Sequence, residues 1–252
     1  MVYCRSQADA AFWDAHWRTY LSPRNYAGAE RGHLGWFEEP FTSYLPRQGR
    51  ILEAGCGLGQ YVLALWARGY EAEGVEWGAE TVEAVRAFNP HLPIRVGDVT
   101  NLDVPDGYYA AYISLGVVEH RQQGPEPFLR EAWRVLTPGG VILISVPYFH
   151  PLRRLKARLG LYRGQTDGLE FYQYAFTREE FTDILREAGF DILDTMSYSG
   201  FKGVKDEIPL IRRMLGWWGV GWLLSRLLRR WRYAEQHLGH MLMIIGRKPE
   251  RD

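Results

Sequence analysis

The stretch that most narrows the possible folds is Arg50 to Gly78, RILEAGCGLGQYVLALWARGYEAEGVEWG. A short apolar run enters three glycines spaced two apart. A helical pattern follows, and a second apolar run ends on an acid. Strand, glycine turn, helix and strand make the repeating unit of a parallel sheet, because a parallel return needs a crossover connection. The pattern continues. LPIRVGD and YYAAYISLG read as strands, PEPFLREAWRVL as a helix, and GGVILISVP as a buried strand. TREEFTDILREAGF reads as a capped amphipathic helix, and FDILDTMSYS and HMLMIIGRK as the last two strands. Ahead of the glycine turn, residues 6–21 read as a helix capped by Ser6, with Phe12, Trp13, Trp17 and Tyr20 at helical spacing, and residues 33–45 as a second helix. The fold class is therefore α/β with a parallel, doubly wound sheet.

Bulk properties exclude several functions. The 252 residues carry 30 basic and 30 acidic side chains, so a globally cationic nucleic-acid binder is not indicated. Two cysteines, Cys4 and Cys56, are too few for a disulfide framework or a structural zinc site, and a metal centre is not expected. They fit a reducing, cytoplasmic compartment. The N-terminus does not read as a signal peptide. The longest apolar run, Met214 to Leu224, is too short to span a bilayer, which takes about 20 residues.

In a doubly wound sheet, ligands bind beyond the carboxyl ends of the strands, where the strand order reverses. The glycine turn leaves the first strand on that side. A dinucleotide turn would want glycine at 55, 57 and 60, but position 60 is Gln60. A phosphate loop would need Gly-Lys-Ser or Gly-Lys-Thr, and neither is present. Gly55 and Gly57 let a ligand lie against the backbone. Glu76, ending the next strand, can accept both hydroxyls of a ribose, and Asp98 can accept from an exocyclic amine. Acids at 53, 76 and 98 suit an adenosyl ligand with an amine, no phosphate and a sulfonium cation.

These residues resemble the class I S-adenosylmethionine-dependent methyltransferases. LEAGCGLG is similar to the family's first motif, GVEWG to its acidic second motif, and GDVTNLDVPDGYYAAYISLGVVEH to its adenine-contacting segment and fourth strand. FLREAWRVLTPGGVILISVP resembles the segment after it. The likeness is close over residues 48–147 and looser over 177–198 and 239–247. It implies a Rossmann-like sheet of seven strands, the last antiparallel and inserted between the fifth and sixth. It also implies S-adenosyl-L-methionine as cofactor. By position, Glu53, Gly55, Cys56, Gly57, Gly59 and Gln60 would surround the methionine part. Glu76 and Trp77 would meet the ribose and adenine, Asp98 and Val99 would read the adenine, and Leu115 and Gly116 would line the path near the sulfonium. Cys56 reads as a small packed residue rather than a nucleophile.

The implied organisation is an N-terminal helical lid at 1–47 and a methyltransferase domain at 48–252. That domain carries cap insertions at about 148–176 and 199–238. Both insertions follow strands that end on the ligand face. An oxygen acceptor needs a base, and histidine suits neutral pH. His120, just past the fourth strand, is the first candidate; His150 and Tyr148 follow the fifth. Tyr172, Tyr174, His16 and His33 are weaker. The available histidines and the family's habits favour oxygen on a small-molecule or lipid-linked acceptor, such as a glycan, a lipid-linked sugar or a secondary metabolite. HPLRRLKARLGLYRG carries five basic residues and no acid, and the second insertion carries Trp217, Trp218, Trp222 and Trp231. Two readings of this cap stand: a surface that touches the membrane, or an amphipathic lid with tryptophans buried and arginines in water. Two other functions stay open, a nicotinamide-dependent oxidoreductase and a non-catalytic module that keeps the fold.

Overall fold

A computed structural model of the chain describes residues 1–5, 9–162, 170–217 and 220–250. Its strands are β1 (Val2–Arg5), β2 (Arg50–Ala54), β3 (Glu71–Glu76), β4 (Ile94–Val96), β5 (Tyr109–Leu115), β6 (Leu136–Pro147), β7 (Glu170–Tyr174), β8 (Asp191–Tyr198) and β9 (Met241–Arg247). The helices before β6 are α1 (Ala10–Arg18), α2 (Pro23–Tyr26), α3 (Glu38–Tyr44), α4 (Gln60–Ala67), α5 (Ala79–Phe88) and α6 (Glu126–Val135). Those after it are α7 (Pro151–Arg158), α8 (Arg178–Glu187), α9 (Gly200–Glu207), α10 (Pro209–Met214), α11 (Val220–Arg230) and α12 (Arg232–His237).

Seven strands form the central sheet in the order β4-β3-β2-β5-β6-β9-β8. β2 pairs in parallel with β3 on one side and β5 on the other, so the strand order reverses between β2 and β5. β9 runs antiparallel between β6 and β8. This is the seven-stranded, mostly parallel arrangement that the sequence leads one to expect. Successive residues feed opposite layers. Ile51, Ala111, Ile113 and Leu143 join α4 and α5 on one face, while Leu52, Tyr112, Ile142 and Ile144 join α6 and α8 on the other. That alternation is the period of two expected of a strand covered on both sides.

Local signals explain the element ends. Thr177 and Glu180 form the reciprocal cap of α8: the Thr177 hydroxyl accepts from the Glu180 N–H at 3.1 Å, and the Glu180 carboxylate accepts from the Thr177 N–H at 2.8 Å. The first helix is shorter than its pattern predicts. It starts after Asp9, whose carboxylate accepts from Phe12 N–H at 2.8 Å; Ser6 lies outside the described residues. The second helix divides, with a 3-10 turn at Gly35–Phe37 before α3.

Two features are not in the sequence pattern as read. β1 and β7 pair antiparallel in a separate two-stranded sheet. The second insertion holds four short helices, α9 to α12, where glycines at 216, 219 and 221 suggest two; Trp218 and Gly219 lie outside the described residues. Pro209 opens a new helix, and the chain breaks again at Trp231. The two insertions are tied together by a buried ion pair. The Arg153 guanidinium donates to Glu207 at 2.8 Å and to the Tyr148 carbonyl at 2.8 Å, and Lys156 donates to Glu207 at 2.7 Å. Burial alone would raise the Glu207 carboxyl. The hydrogen bonds from Lys156, Tyr162 and Arg153 outweigh it and pull the pKa down to about 2.

Removing one partner of such a pair strands the other charge. Glu207→Ala is expected to destabilise the fold by about 3–5 kcal/mol, measured by urea unfolding. Loss under about 1 kcal/mol would mean that Arg153 finds water instead.

Candidate cofactor and acceptor cleft

One cleft of about 680 Å³ opens at the carboxyl ends of β2, β3 and β5. The volume lies within the usual range for a small-molecule site. Gly55, Glu76, Trp77, Asp98, Val99, Leu115, Gly116 and His120 all line it. Eight of the residues singled out from the sequence are therefore brought to one wall.

The glycine turn explains its own composition. Gly55 has φ +76°, and an added Cβ would lie 2.5 Å from Val117. Gly57 has φ +51°, and a Cβ there would meet the Trp17 ring at 2.6 Å. Both the left-handed backbone and the close approach demand glycine. Glu76 ties the turn to β3. Its carboxylate accepts from Gly57 N–H at 2.8 Å, Trp77 N–H at 2.9 Å and Gly78 N–H at 3.0 Å. Burial raises its carboxyl, and these three bonds oppose the rise. Asp98 uses one oxygen for the N–H and hydroxyl of Thr100, at 2.8 and 2.7 Å. Trp77 is half exposed beside these acids.

Other residues singled out from the sequence sit beneath or beside the cleft wall. Glu53 is buried and accepts from Val62 N–H at 3.1 Å. Burial first, and the nearby Glu76 charge to a smaller degree, push it up to about 8. Cys56 packs over Gly74, where a Cβ would come within 2.6 Å of its Sγ, and burial pushes its thiol well up. Gln60 donates to the Asn25 carbonyl at 2.9 Å. Gly59 takes φ +67° as the N-cap of α4.

The two histidines separate. The His120 Nδ1 lies 2.9 Å from the Tyr172 carbonyl. That partner accepts only, so Nδ1 carries the proton and Nε2 the lone pair. Trp13 and Tyr172 flank the ring, each with a centroid separation of 4.9 Å. Burial lowers its pKa to about 4, so the ring is neutral at physiological pH. His150 and Tyr148 do not line the cleft. His150 is fully buried near Arg153 and Glu207, and burial followed by the Arg153 charge lowers it to about 4. Tyr148 is buried at the end of β6, its carbonyl held by Arg153.

Sequence reasoning missed part of the wall. Arg121, Gln122, Phe128, Glu170 and Phe171 also line the cleft, with Trp13 and Trp17 of α1. The alternating EFYQY of β7 was a usable strand signal; nothing local marks Arg121 or Phe128. The first insertion thus reaches the cleft through β7, while no described residue of 199–238 lines it.

Glu119, beside His120, is fully buried, and one of its carboxylate oxygens has no hydrogen-bond partner. Burial raises its pKa to about 8. The folded protein therefore holds this proton more tightly than the unfolded chain. Its contribution to stability is whole below about pH 4.5 and is lost as pH rises towards 8. Glu119→Gln is expected to flatten the fall in melting temperature between those limits. An unchanged slope would place the titration elsewhere, with Glu53 the next group to replace.

The chain resembles known proteins in sequence and in shape. Residues 52–144 match the family profile described as "Methyltransferase domain". A probable S-adenosylmethionine-dependent methyltransferase of Mycolicibacterium smegmatis is 32% identical over 147 residues, covering 58% of this chain and 53% of that protein. A ubiquinone/menaquinone biosynthesis C-methyltransferase of Neisseria meningitidis is 26% identical over 192 residues, covering 65% of this chain and 78% of that protein. The chain spans about half the length of the first of these. Among solved structures, the Haloferax volcanii complex of the Trm112 methyltransferase activator with a putative methyltransferase superposes with TM-score 0.64 at 17% identity. It covers 98% of both chains. That likeness shows the fold. Taken with the glycine turn and the acids at the strand ends, the profile match identifies a methyltransferase domain at residues 52–144, carried on the seven-stranded fold of the S-adenosylmethionine-dependent methyltransferases that the chain resembles.

Proposed function

We propose that the protein transfers a methyl group from S-adenosylmethionine to an oxygen of a small or lipid-linked acceptor. The observation that carries this reading is that Glu76 and Asp98, which suit an adenosine, share one cleft with the neutral, oriented imidazole of His120. The residues present fit the cofactor. Glu76 would accept from the ribose hydroxyls, and Asp98 and the Val99 backbone would read the adenine edge, with Trp77 over its face. Gly55 would lie against the methionine part, while Gly57 and Gly59, covered by Trp17 and Leu92 and outside the cleft lining, would only shape the turn. Cys56 and Gln60 would contribute only backbone, since their side chains are engaged elsewhere. Bound there, the cofactor supplies an electrophilic methyl on a positively charged sulfur.

The protein's own task is then placement and one proton. Holding two reactants in line can lower a barrier by about 7–11 kcal/mol. The aromatic wall of Trp13, Trp17 and Phe171 keeps water from the reacting atoms. His120 takes the acceptor proton at Nε2, because Nδ1 is already committed to the Tyr172 carbonyl. Burial makes it a weak base, but one that is unprotonated at every pH above about 4. Oxygen is preferred over nitrogen or carbon because a placed base is useful there. His150 and Tyr148 have no part in this scheme, being outside the cleft. A nicotinamide cofactor suits the site less well, since its pyrophosphate would face Glu76 and Asp98.

His120→Ala is expected to cut turnover by about 10²–10⁴-fold while S-adenosylhomocysteine affinity changes little. Product release from an acceptor screen and calorimetry measure the two. Near-normal turnover with intact binding would remove His120 as base. A larger thermal shift with NADH than with S-adenosylhomocysteine would reject the cofactor. In the parent protein, turnover should fall on the acid side as His120 protonates, near pH 4.

A further inference from the structure

We infer that the outer face formed by the described residues of 208–217 and 220–238 docks on an anionic lipid surface. The helices here bury a small core of their own. Val204, Leu228 and Ala234 are buried, with Phe201, Ile208 and Leu238 packed around them. The larger apolar groups point the other way. Leu210 and Trp222 are each 65% exposed, Leu227 59% and Trp217 55%. Trp231 and Tyr233 are exposed as well, their rings 6.2 Å apart. Single exposed apolar residues are ordinary on a protein surface; six within one short segment are not. The amphipathic-lid reading requires buried tryptophans, and the described tryptophans of this segment are exposed.

Charge selects the partner. The segment holds six arginines and one acid, Glu235, in a chain that is neutral overall. Glu235 is turned inward, accepting from the Gly200 N–H at 2.9 Å. Arg226 lies 5.5 Å over the Trp222 ring, so a cation and an aromatic group are presented together. Tryptophan and tyrosine settle at headgroup level, and Arg213 and Arg226, both exposed, gain from anionic headgroups. A second copy of this face would bring like charge against like charge. A nucleic-acid backbone would satisfy the arginines but would leave Leu210 and Leu227 in water. No described helix is long and apolar enough to cross a membrane, so the contact would be peripheral. The face is also separate from the cleft, whose described lining includes none of these residues. Docking and cofactor binding can therefore be measured apart.

The test is co-sedimentation of the full chain with phosphatidylcholine vesicles, with and without phosphatidylglycerol, across a salt series. Binding to the anionic vesicles at low salt, fading as salt rises, is expected. Trp222→Ala with Trp231→Ala should weaken it by about tenfold or more. Arg213→Glu with Arg226→Glu should weaken it by about tenfold on anionic vesicles only. S-adenosylhomocysteine affinity, measured on the same samples, should stay within about twofold of the parent for both variants. Four results would overturn the inference: no sedimentation at low salt, equal binding to both vesicles, variants that bind like the parent, or RNA binding or self-association lost in the same variants without vesicle binding. None of these would touch the methyl-transfer reading.

Discussion

Three backbone N–H groups converge on the Glu76 carboxylate, and the ligand side of the sheet depends on that convergence. Gly57 brings the turn after β2, while Trp77 and Gly78 bring the turn after β3. The ends of the neighbouring strands β2 and β3 are thereby tied together, beside the point between β2 and β5 where strand order reverses. Hydrogen bonds to an ionised group are worth about 1.5–3 kcal/mol each, more than neutral ones. The arrangement also orients a carboxylate at the cleft wall through backbone N–H groups. Burial raises the Glu76 carboxyl, and the three N–H groups oppose that rise by favouring the ionised form.

Three buried acids near the cleft, Glu53, Glu76 and Glu119, divide into two kinds. Glu76 has donors from three residues and lines the cleft. Glu53 and Glu119 are buried with few donors and are held up to about 8 by desolvation. They are neutral in the native protein near pH 7. The sequence presents three acids, at 53, 76 and 98, as one electrostatic group. The structure separates them, because burial under β2 removes the charge of Glu53 while Glu76 and Asp98 remain at the cleft wall. Two of the three acids, Glu76 and Asp98, therefore reach the cleft wall, and the third lies behind it.

The N-terminal region works as part of the wall as well as a cover. Asp14 on α1 accepts from the Thr81 N–H at 2.8 Å and from its hydroxyl at 2.7 Å, capping the start of α5. Arg18 pairs with Glu80 on the same helix. These bonds set Trp17 against Gly57 and Trp13 against His120. The β1–β7 sheet fixes the far side, since Tyr172 on β7 holds the His120 ring. A segment that reads as a separate lid is thus bonded to α5 and packed against both Gly57 and His120.

Periodicity alone determined the seven strands, the helices between them, the ligand side of the sheet and the glycine turn. These follow from local rules: alternation of two for strands, a helical stripe, and glycine where a side chain has no room. Motif order was enough to gather eight residues of the cleft. Tertiary structure decided what local rules cannot reach. It withdrew His150 and Tyr148 from the cleft, and it supplied Arg121, Phe128 and Phe171 instead. It joined β1 to β7, elements separated by more than 160 residues. It also turned Trp222 and Trp231 outward, because the helices of the second insertion satisfy their own small core with Leu228 and Ala234. Which side of an amphipathic helix meets protein depends on the surface waiting for it, and that surface exists only once the chain has folded.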